Sequence, residues 1–206
     1  MAVFDFDKTL TRRDTLVPWL VALCGAGAVH RAILIATAAM VRPSHKKTKP
    51  EDRRTRFKRR LLGALLPGAS VAAAQHAALN TRFSWHRRGL AALARHRQDG
   101  DEILIATGAC DVFIAPILQK TFGLEAYLAT RLKIENGILT GALDDVNCVR
   151  QDKAALIKTW LRAHGPFDRI YGYGNAPSDL PFLSLTDHPH LVAGASIKSL
   201  GGVAPR

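Results

Sequence analysis

The 206-residue chain is 48% hydrophobic and carries 29 Lys and Arg against 17 Asp and Glu, a formal net charge of +12. This composition excludes a disordered chain, and the length suffices for one sizeable core with a small accessory domain beside it. The basic excess predicts attraction to phosphate, nucleic acid or an anionic membrane surface.

The cysteine content and the first residues both favour a cytoplasmic protein. The three cysteines are Cys24, Cys110 and Cys148, an odd number without any CxxC pair. This pattern is typical of reduced thiols rather than of a disulfide framework or a zinc site. The acids Asp5 and Asp7 follow the N-terminus almost at once, so we do not expect a cleaved signal peptide.

Along the chain, short apolar runs alternate with amphipathic segments. Strands are predicted at residues 2–6, 102–106, 169–173 and 191–193, and helices at 85–97, 112–122 and 153–163. The runs end in polar or glycine-containing loops, which is typical of buried strands that lead into functional loops. The alternation predicts an α/β fold with a parallel sheet flanked by helices.

Two regions interrupt this alternation. Residues 15–83 carry only helical signals, so we interpret them as an inserted helical cap, with residues 1–14 and 84–206 forming the core. Further on, Asn136 and Gly137 stand between two alternating runs, which is the strongest short-range signal for a β-hairpin.

The apolar stretch at residues 16–41 raises the alternative of a membrane span. Gly25 and Gly27 interrupt it, and His30 and Arg31 lie near its middle. A single span would place these polar side chains in hydrocarbon at a cost of a few kcal/mol. We therefore favour two packed helices, at 15–24 and 29–41.

Acidic and polar residues follow the predicted strands. Asp5 and Asp7 come at the end of the first strand, where reacting groups in open α/β sheets gather. A carboxylate can attack phosphorus if a cation offsets the repulsion between the two anions, and a second acid can protonate the leaving oxygen. A DxD pair alone is more often a solvated or helix-capping pair of acids.

Three further elements follow in chain order. Thr107 and Gly108 could bind phosphate oxygens, Lys153 could pair with both phosphate and nucleophile, and the turn of residues 174–179 offers oxygens to a hard cation. Each signal is weak alone, because such residues are common in ordinary turns and on solvated faces.

Together, in this order, the four elements resemble the haloacid dehalogenase superfamily. The resemblance covers essentially the whole chain and is strongest to subfamily IB, the branch of phosphoserine phosphatase and the phosphatidylglycerophosphatase C type enzymes. The DxDx[TV] signature matches the sequence from Asp5 to Thr9, and the second and third motifs match Thr107 and Lys153. Residues 174–179 match the GDxxxD motif. The resemblance implies a Rossmann-like core, a β-hairpin and an α-helical cap of the C1 type.

The resemblance also implies roles for individual residues. Asp5 would be the nucleophile that forms an aspartyl-phosphate, and Asp7 the general acid and base. Thr107, Gly108 and Lys153 would hold the phosphate, with Lys153 also serving catalysis. The activity implied is that of a phosphomonoesterase.

Magnesium is the cofactor that the resemblance implies. Mg²⁺ would be bound by the Asp5 side chain, the Asp7 carbonyl and Asn175, with Asp179 supporting the site through water. The family normally has Asp where this chain has Asn175, so we expect weaker Mg²⁺ binding than in a standard member. A degenerate, weakly active relative is the alternative.

The sequence says less about which phosphate ester is the substrate than about the reaction. Asp14 stands where phosphoserine phosphatases have an acid that contacts the substrate's amino group, but it is equally suited to cap the following helix. Residues 42–60, the first being Arg42 and the last Arg60, contain ten Lys and Arg against two acids, a local net charge of +8.

This basic segment could dock on an anionic membrane and bring the enzyme to a lipid phosphate, which predicts a cytoplasmic protein able to sit at the inner face of the membrane. A solvated helix face is the plain alternative. Nucleic acid would be attracted as well, but few aromatic residues accompany the segment for base stacking, which disfavours that partner.

Overall fold

The computed structural model describes residues 1–41, 52–144 and 146–201. The strands are β1 (Ala2–Phe4), β2 (Ile103–Cys110), β3 (Tyr127–Thr130), β4 (Leu132–Glu135), β5 (Ile138–Leu143), β6 (Tyr171–Gly174), β7 (His188–Ala193) and β8 (Ser196–Ser199). The helices are α1 (Leu16–Cys24), α2 (Ala26–Val41), α3 (Arg53–Leu65), α4 (Val71–Asn80), α5 (Arg87–Gln98), α6 (Asp111–Phe122), α7 (Arg150–His164) and α8 (Leu180–Leu183).

Six strands form one sheet in the order β3-β2-β1-β6-β7-β8. All neighbouring pairs are parallel except β7 and β8, which are antiparallel. The predicted α/β class with a mostly parallel sheet is therefore confirmed. Because β1 lies between β2 and β6, the loops that follow these three strands meet at one edge of the sheet.

The central strands are buried on both faces, and successive side chains alternate between two apolar clusters. Ala2 and Phe4 face one cluster with Ile103 and Ile105, and α6 and the helices that precede α5 pack there. Val3 lies on the other side, in a cluster that includes residues of α7 and α8. This two-sided burial explains why the strands appear as continuous apolar runs.

Helices α1 to α4 lie between β1 and α5, as the helical signals predict. Gly25, with a φ of 83°, separates α1 from α2, so the apolar stretch is two helices. The Trp19 indole N–H donates to the Ala74 carbonyl (3.0 Å), which ties α1 to α4. Across the three described ranges, none of the helices has the length and apolar character that a membrane crossing requires. The core and cap boundaries stay a prediction.

Strands β4 and β5 form a separate antiparallel hairpin. Asn136 and Gly137 connect them with φ values of 51° and 77°. Positive φ at both central residues is the geometry for which an Asn-Gly pair is favoured. The predicted hairpin is therefore present at the predicted turn.

Candidate active site

The first acid of the site lies one residue beyond β1. The Asp5 backbone N–H donates to the Tyr173 carbonyl (2.9 Å), which extends the pairing of β1 with β6. The Thr9 hydroxyl donates to Asp5 Oδ2 (2.9 Å), and Asp5 is only 3% exposed. Both the main chain and the side chain of Asp5 are therefore held at the carboxyl edge of the sheet.

Asp7 lies on a tight turn that leads towards α1. The backbone N–H groups of Thr9 and Leu10 donate to the Phe6 carbonyl, which closes the turn. Asp7 Oδ1 accepts from the backbone N–H of Thr15 (3.0 Å) and from its hydroxyl (2.8 Å). Within the described residues both of these bonds use Oδ1, so Oδ2 is the carboxyl oxygen left for proton transfer.

Lys153 joins the acids that follow two different strands. It lies in the first turn of α7, is 3% exposed, and its Nζ contacts Asp5 Oδ1 (2.8 Å) and Asp179 Oδ1 (2.7 Å). Although burial opposes the charged form, the two carboxylates raise the pKa of Lys153 above its ordinary value. A permanent ammonium charge therefore lies against Asp5.

The loop after β6 brings Asn175 and Asp179 to the same place. Asp179 Oδ2 accepts from the backbone N–H of Asn175 (2.9 Å). The Asn175 side-chain NH₂ donates to Asp5 Oδ2 and to the carbonyl oxygen of Asp7, each at 3.0 Å. This loop is therefore hydrogen-bonded directly to the acidic turn after β1.

Thr107 and Gly108 lie within β2, which continues past them instead of ending before them. The Thr107 side chain is fully buried, its Oγ1 accepts from the Ala109 N–H (3.1 Å), and Thr107 does not line the cavity described below. Gly108 does line it. The phosphate-binding roles of both residues stay predictions.

Lys58 and Asn147 connect helix α3 to the core beside Gly108. The buried Lys58 ammonium donates to the Gly108 carbonyl and to Asn147 Oδ1. Asn147 Nδ2 donates to the Thr55 hydroxyl (2.8 Å), and Asn147 Oδ1 also accepts from Thr130 (2.8 Å). A second buried lysine therefore lies at the edge of the site.

Sequence reasoning missed this contact because Lys58 falls within the basic segment, whose charges the sequence assigns to a membrane-docking surface or to a solvated helix face. A signal for its burial is present. Thr55, Lys58 and Leu62 stand at helical spacing, and all three are buried. The apolar face of α3 therefore includes the position of Lys58.

The gathered residues line a cavity of about 490 Å³. Asp5, Asp7, Lys153, Asn175 and Asp179 all contribute to its wall. The sequence-predicted residues that follow β1 and β6 and begin α7 therefore surround one cavity.

Asp14 also lines the cavity but is exposed. Its Oδ1 accepts from the backbone N–H of Leu16 (3.2 Å), the second residue after it. The first residue of α1 is Leu16, and its N-cap is Thr15. Asp14 thus bonds the first N–H of the helix from just outside it, and its contact with a substrate stays a prediction.

Burial is the largest effect on the pKa of both acids in the turn. It raises the pKa of Asp5 to about 6, with a further increase from Asp179, while Lys153 opposes the shift. Burial, followed by the charges of Asp14 and Asp5, raises the pKa of Asp7 to about 8. At neutral pH, Asp5 is therefore mainly ionised and suited to nucleophilic attack, whereas Asp7 mainly retains a proton that it can donate.

The oxygens beside Asn175 suit a hard cation such as Mg²⁺. Asp5 Oδ2 and the Asp7 carbonyl converge, because both accept from one NH₂ group. Among the residues that the structure describes, no group of three or more Asp, Glu, His or Cys is arranged to hold a metal. The amide oxygen of Asn175 is a further candidate ligand, because carboxylate, carbonyl and amide oxygens are ligands that Mg²⁺ accepts.

The fold and the site together define a class of hydrolase. Its features are a mostly parallel sheet flanked by helices, acids after a central strand, a buried lysine beside them, and a helical segment inserted after that strand. Residues 2–184 match the family described as haloacid dehalogenase-like hydrolase, and the chain belongs to this family. The narrower assignment to subfamily IB stays a prediction.

The individual relatives have low sequence identity to this chain. A Mycobacterium tuberculosis protein named as a probable phosphatase is 27% identical over 101 residues, which is 48% of this chain and 34% of that protein. The chain thus matches only about a third of that relative's length. A Bordetella pertussis structure of unknown function is similar with a TM-score of 0.68 and 25% identity, covering 90% of this chain and 86% of that chain.

Phosphoserine phosphatase in its apo form has a TM-score of 0.60 with this chain. The identity is 16%, and the similarity covers 90% of this chain and 82% of that chain. At this identity the likeness shows the fold alone.

Proposed function

We propose that this chain is a Mg²⁺-dependent phosphomonoesterase that acts through an aspartyl-phosphate on Asp5. The observation that carries the proposal is the buried contact of Lys153 with both Asp5 and Asp179 at the carboxyl edge of the sheet. The ammonium charge keeps Asp5 ionised in a buried position and can also attract the phosphate of a substrate. The phosphatase name of the M. tuberculosis relative supports the same activity.

In the first half-reaction an Asp5 carboxylate oxygen forms a bond to phosphorus, and the bond between phosphorus and the substrate alcohol breaks. Asp7 gives its proton to the departing alcohol oxygen. Lys153, Thr107 and the backbone at Gly108 hold the phosphate oxygens. The products of this step are the free alcohol and phosphorylated Asp5.

In the second half-reaction the Asp7 carboxylate takes a proton from a water molecule. That water oxygen bonds to phosphorus, the bond from phosphorus to Asp5 breaks, and inorganic phosphate leaves. Asp5, the Asp7 carbonyl and Asn175 would hold Mg²⁺, with support from Asp179. When bound, the ion supplies positive charge that reduces the repulsion between Asp5 and the phosphate.

Phosphate release from p-nitrophenyl phosphate tests the proposal. We expect release to depend on Mg²⁺, to stop with EDTA and to be abolished in Asp5→Asn. Asp168→Asn changes an exposed acid and serves as the matched control, with activity retained. Full activity in Asp5→Asn would contradict the proposal, and a mobility shift with DNA or RNA without hydrolysis would favour a polyanion-binding protein.

Asp7→Asn separates the two half-reactions. Asparagine cannot take a proton from water, so the phosphorylated form of Asp5 should be hydrolysed slowly and accumulate. Intact-mass spectrometry after exposure to an activated ester should then detect a gain of one phosphoryl group, absent from the Asp5→Asn chain. Absence of this adduct in the Asp7→Asn chain would contradict the covalent mechanism.

For the substrate, we propose a small-molecule or lipid-head-group phosphate. The cavity wall beyond the acids includes the apolar side chains of Leu16, Trp19 and Phe57, and Arg53 and Arg54 also line it. Apolar and cationic groups together suit an ester that carries both hydrocarbon and anionic charge. A panel including phosphoserine and phosphatidylglycerophosphate distinguishes the two classes.

We further propose that the helices before β2 can dock on an anionic membrane surface. Leu34 and Ile35 of α2 are 56% and 68% exposed, and the neighbouring helix α3 exposes Arg53 and Arg54. Apolar side chains beside basic ones are typical of interfacial binding. Of the basic segment at residues 42–60, residues 42–51 lie outside the described ranges.

Cosedimentation with vesicles tests this docking. The wild-type chain should bind phosphatidylglycerol vesicles and not phosphatidylcholine vesicles, and high salt should release it. A double change, Leu34→Ser with Ile35→Ser, should weaken binding without affecting release of phosphate from p-nitrophenyl phosphate. Equal binding of the wild type and the double variant would show that α2 is not part of the docking surface.

A further inference from the structure

The side-chain amide of Asn175 lies with a defined orientation in the acidic turn. Its NH₂ group is 3.0 Å from both Asp5 Oδ2 and the Asp7 carbonyl oxygen. An ionised carboxylate and a carbonyl can only accept hydrogen bonds, so the NH₂ end and not the oxygen must face them. The other end of the amide, Oδ1, accepts from the Ser178 hydroxyl (3.2 Å).

The Ser178 hydroxyl could also form a hydrogen bond with the Asn175 amide in the opposite orientation. A serine hydroxyl can accept as well as donate, so Ser178 could accept from the NH₂ group if the amide turned by half a rotation. The Asn175 backbone would not need to move, because its N–H donates to Asp179 Oδ2 and its carbonyl accepts from the Asp179 N–H. In that orientation Oδ1 would join Asp5 Oδ2 and the Asp7 carbonyl.

Three converging oxygens repel one another unless a cation lies between them. The NH₂ group supplies partial positive charge in one orientation, and a divalent ion would supply full charge in the other. We propose that Asn175 is a two-position element: its NH₂ group holds the acidic turn together without metal, and the amide turns to offer Oδ1 when a divalent cation binds. This inference rests on the metal site of the proposed function.

The replacement Asn175→Asp follows directly from this arrangement. An aspartate would place a carboxylate against Asp5 Oδ2 and the Asp7 carbonyl, where no donor would remain between them. Lys153 would then be the one described cation in direct contact with the acids of the site. The variant should therefore be less stable without metal and bind a cation more tightly, because affinity rises with the number of charged ligands.

Calorimetric titration with MgCl₂ and thermal unfolding in EDTA test the inference without any turnover. We expect Asn175→Asp to bind Mg²⁺ about tenfold or more tightly than the wild type. In EDTA its melting temperature should be lower than that of the wild type, and saturating Mg²⁺ should reverse the order. Gln75→Glu adds the same charge at an exposed position outside the cavity and should change neither quantity.

Nuclear magnetic resonance of the Asn175 side chain tests the rotation itself. In ¹⁵N-labelled protein, the Asn175 side-chain NH₂ signals, identified by their loss in Asn175→Asp, should shift on addition of Mg²⁺ and exchange faster with solvent.

The outcomes separate the inference from the proposed function. If Asn175→Asp and the wild type bind Mg²⁺ equally and melt alike in EDTA, the inference is wrong while the proposed hydrolysis can stand. If the NH₂ signals of Asn175 are unchanged by bound Mg²⁺, the rotation is wrong. If neither chain binds Mg²⁺, the metal dependence in the proposed function is wrong as well.

Discussion

Replacement of Lys153 by Met tests the charge arrangement of the candidate site. Lys153 Nζ lies 2.8 Å from Asp5 Oδ1 and 2.7 Å from Asp179 Oδ1, and all three side chains are buried. Methionine keeps most of the apolar stem of lysine but lacks the ammonium group. Two buried carboxylates would then face each other without a cation between them.

The expected loss of stability follows from these distances. At an effective dielectric constant of about 20, each contact corresponds to a gross attraction of about 6 kcal/mol, much of which offsets the desolvation of the ions. Removal of one partner from a buried pair costs about 3–5 kcal/mol, because the other charge stays buried. Urea unfolding in EDTA at neutral pH should therefore show Lys153→Met to be less stable than the wild type by about this amount.

Acidification distinguishes charge from packing in this variant. The pKa of Asp5 is already raised to about 6, and loss of the ammonium would raise it further. At a pH between its unfolded and folded pKa values, Asp5 is protonated in the folded state and ionised in the unfolded state. The difference in free energy of unfolding between Lys153→Met and the wild type should therefore shrink as the pH falls towards about 5. Lys158→Met, on the exposed face of α7, should stay within about 0.5 kcal/mol of the wild type. A deficit in Lys153→Met below about 1 kcal/mol, or one that does not change with pH, would refute the reasoning.

Two further predictions concern stability. Gly174→Ala should lower the free energy of unfolding by about 1–3 kcal/mol, since a Cβ would lie 2.6 Å from Asp179 Cβ. A Cβ at Gly63 would meet open space, so Gly63→Ala should be neutral or stabilising by up to about 1 kcal/mol. Similar melting temperatures for the Gly174→Ala and Gly63→Ala chains would contradict the clash at Gly174. In the metal-free chain the pKa values of Asp5 and Asp7 are raised to about 6 and about 8, so the folded state retains protons and stability should fall as the pH rises from about 4 to about 8. Asp7→Asn should flatten this decline in urea unfolding; an unchanged slope would mean that Asp7 does not titrate in this range.

The central sheet could be predicted from local pattern. Strands β1 and β2 are buried on both faces, so they appear as continuous apolar runs that end in polar loops. The β4–β5 hairpin was predictable because an Asn-Gly pair suits its positive φ values. Strands β3 and β8 were not predicted. They are only partly buried, and three of the four residues of β8 are polar, so they depend on pairing with β2 and β7 rather than on a local signal.

The chain order of the motifs supplied most of the candidate site, but not its contacts. Asp5 and Lys153 are 148 residues apart, and Lys58 and Asn147 are 89 apart. Composition around Lys58 predicts an exposed charge, either for docking on a membrane or in solvent, whereas the packing of α3 on the core buries it. Thr107, predicted from its place after a strand, is a buried residue within β2 that does not line the cavity, and its contact with phosphate stays a prediction.

The sequence by itself determined the fold class, the hairpin turn and the acids that follow the central strand, because each depends on residues that are near one another along the chain. Tertiary structure decided the charge state of those acids and the orientation of Asn175. The pKa of a carboxyl group depends on burial and on charges from distant segments, and an amide orients to the donors and acceptors around it. Both become defined only when the loops after β1 and β6 and the start of α7 meet.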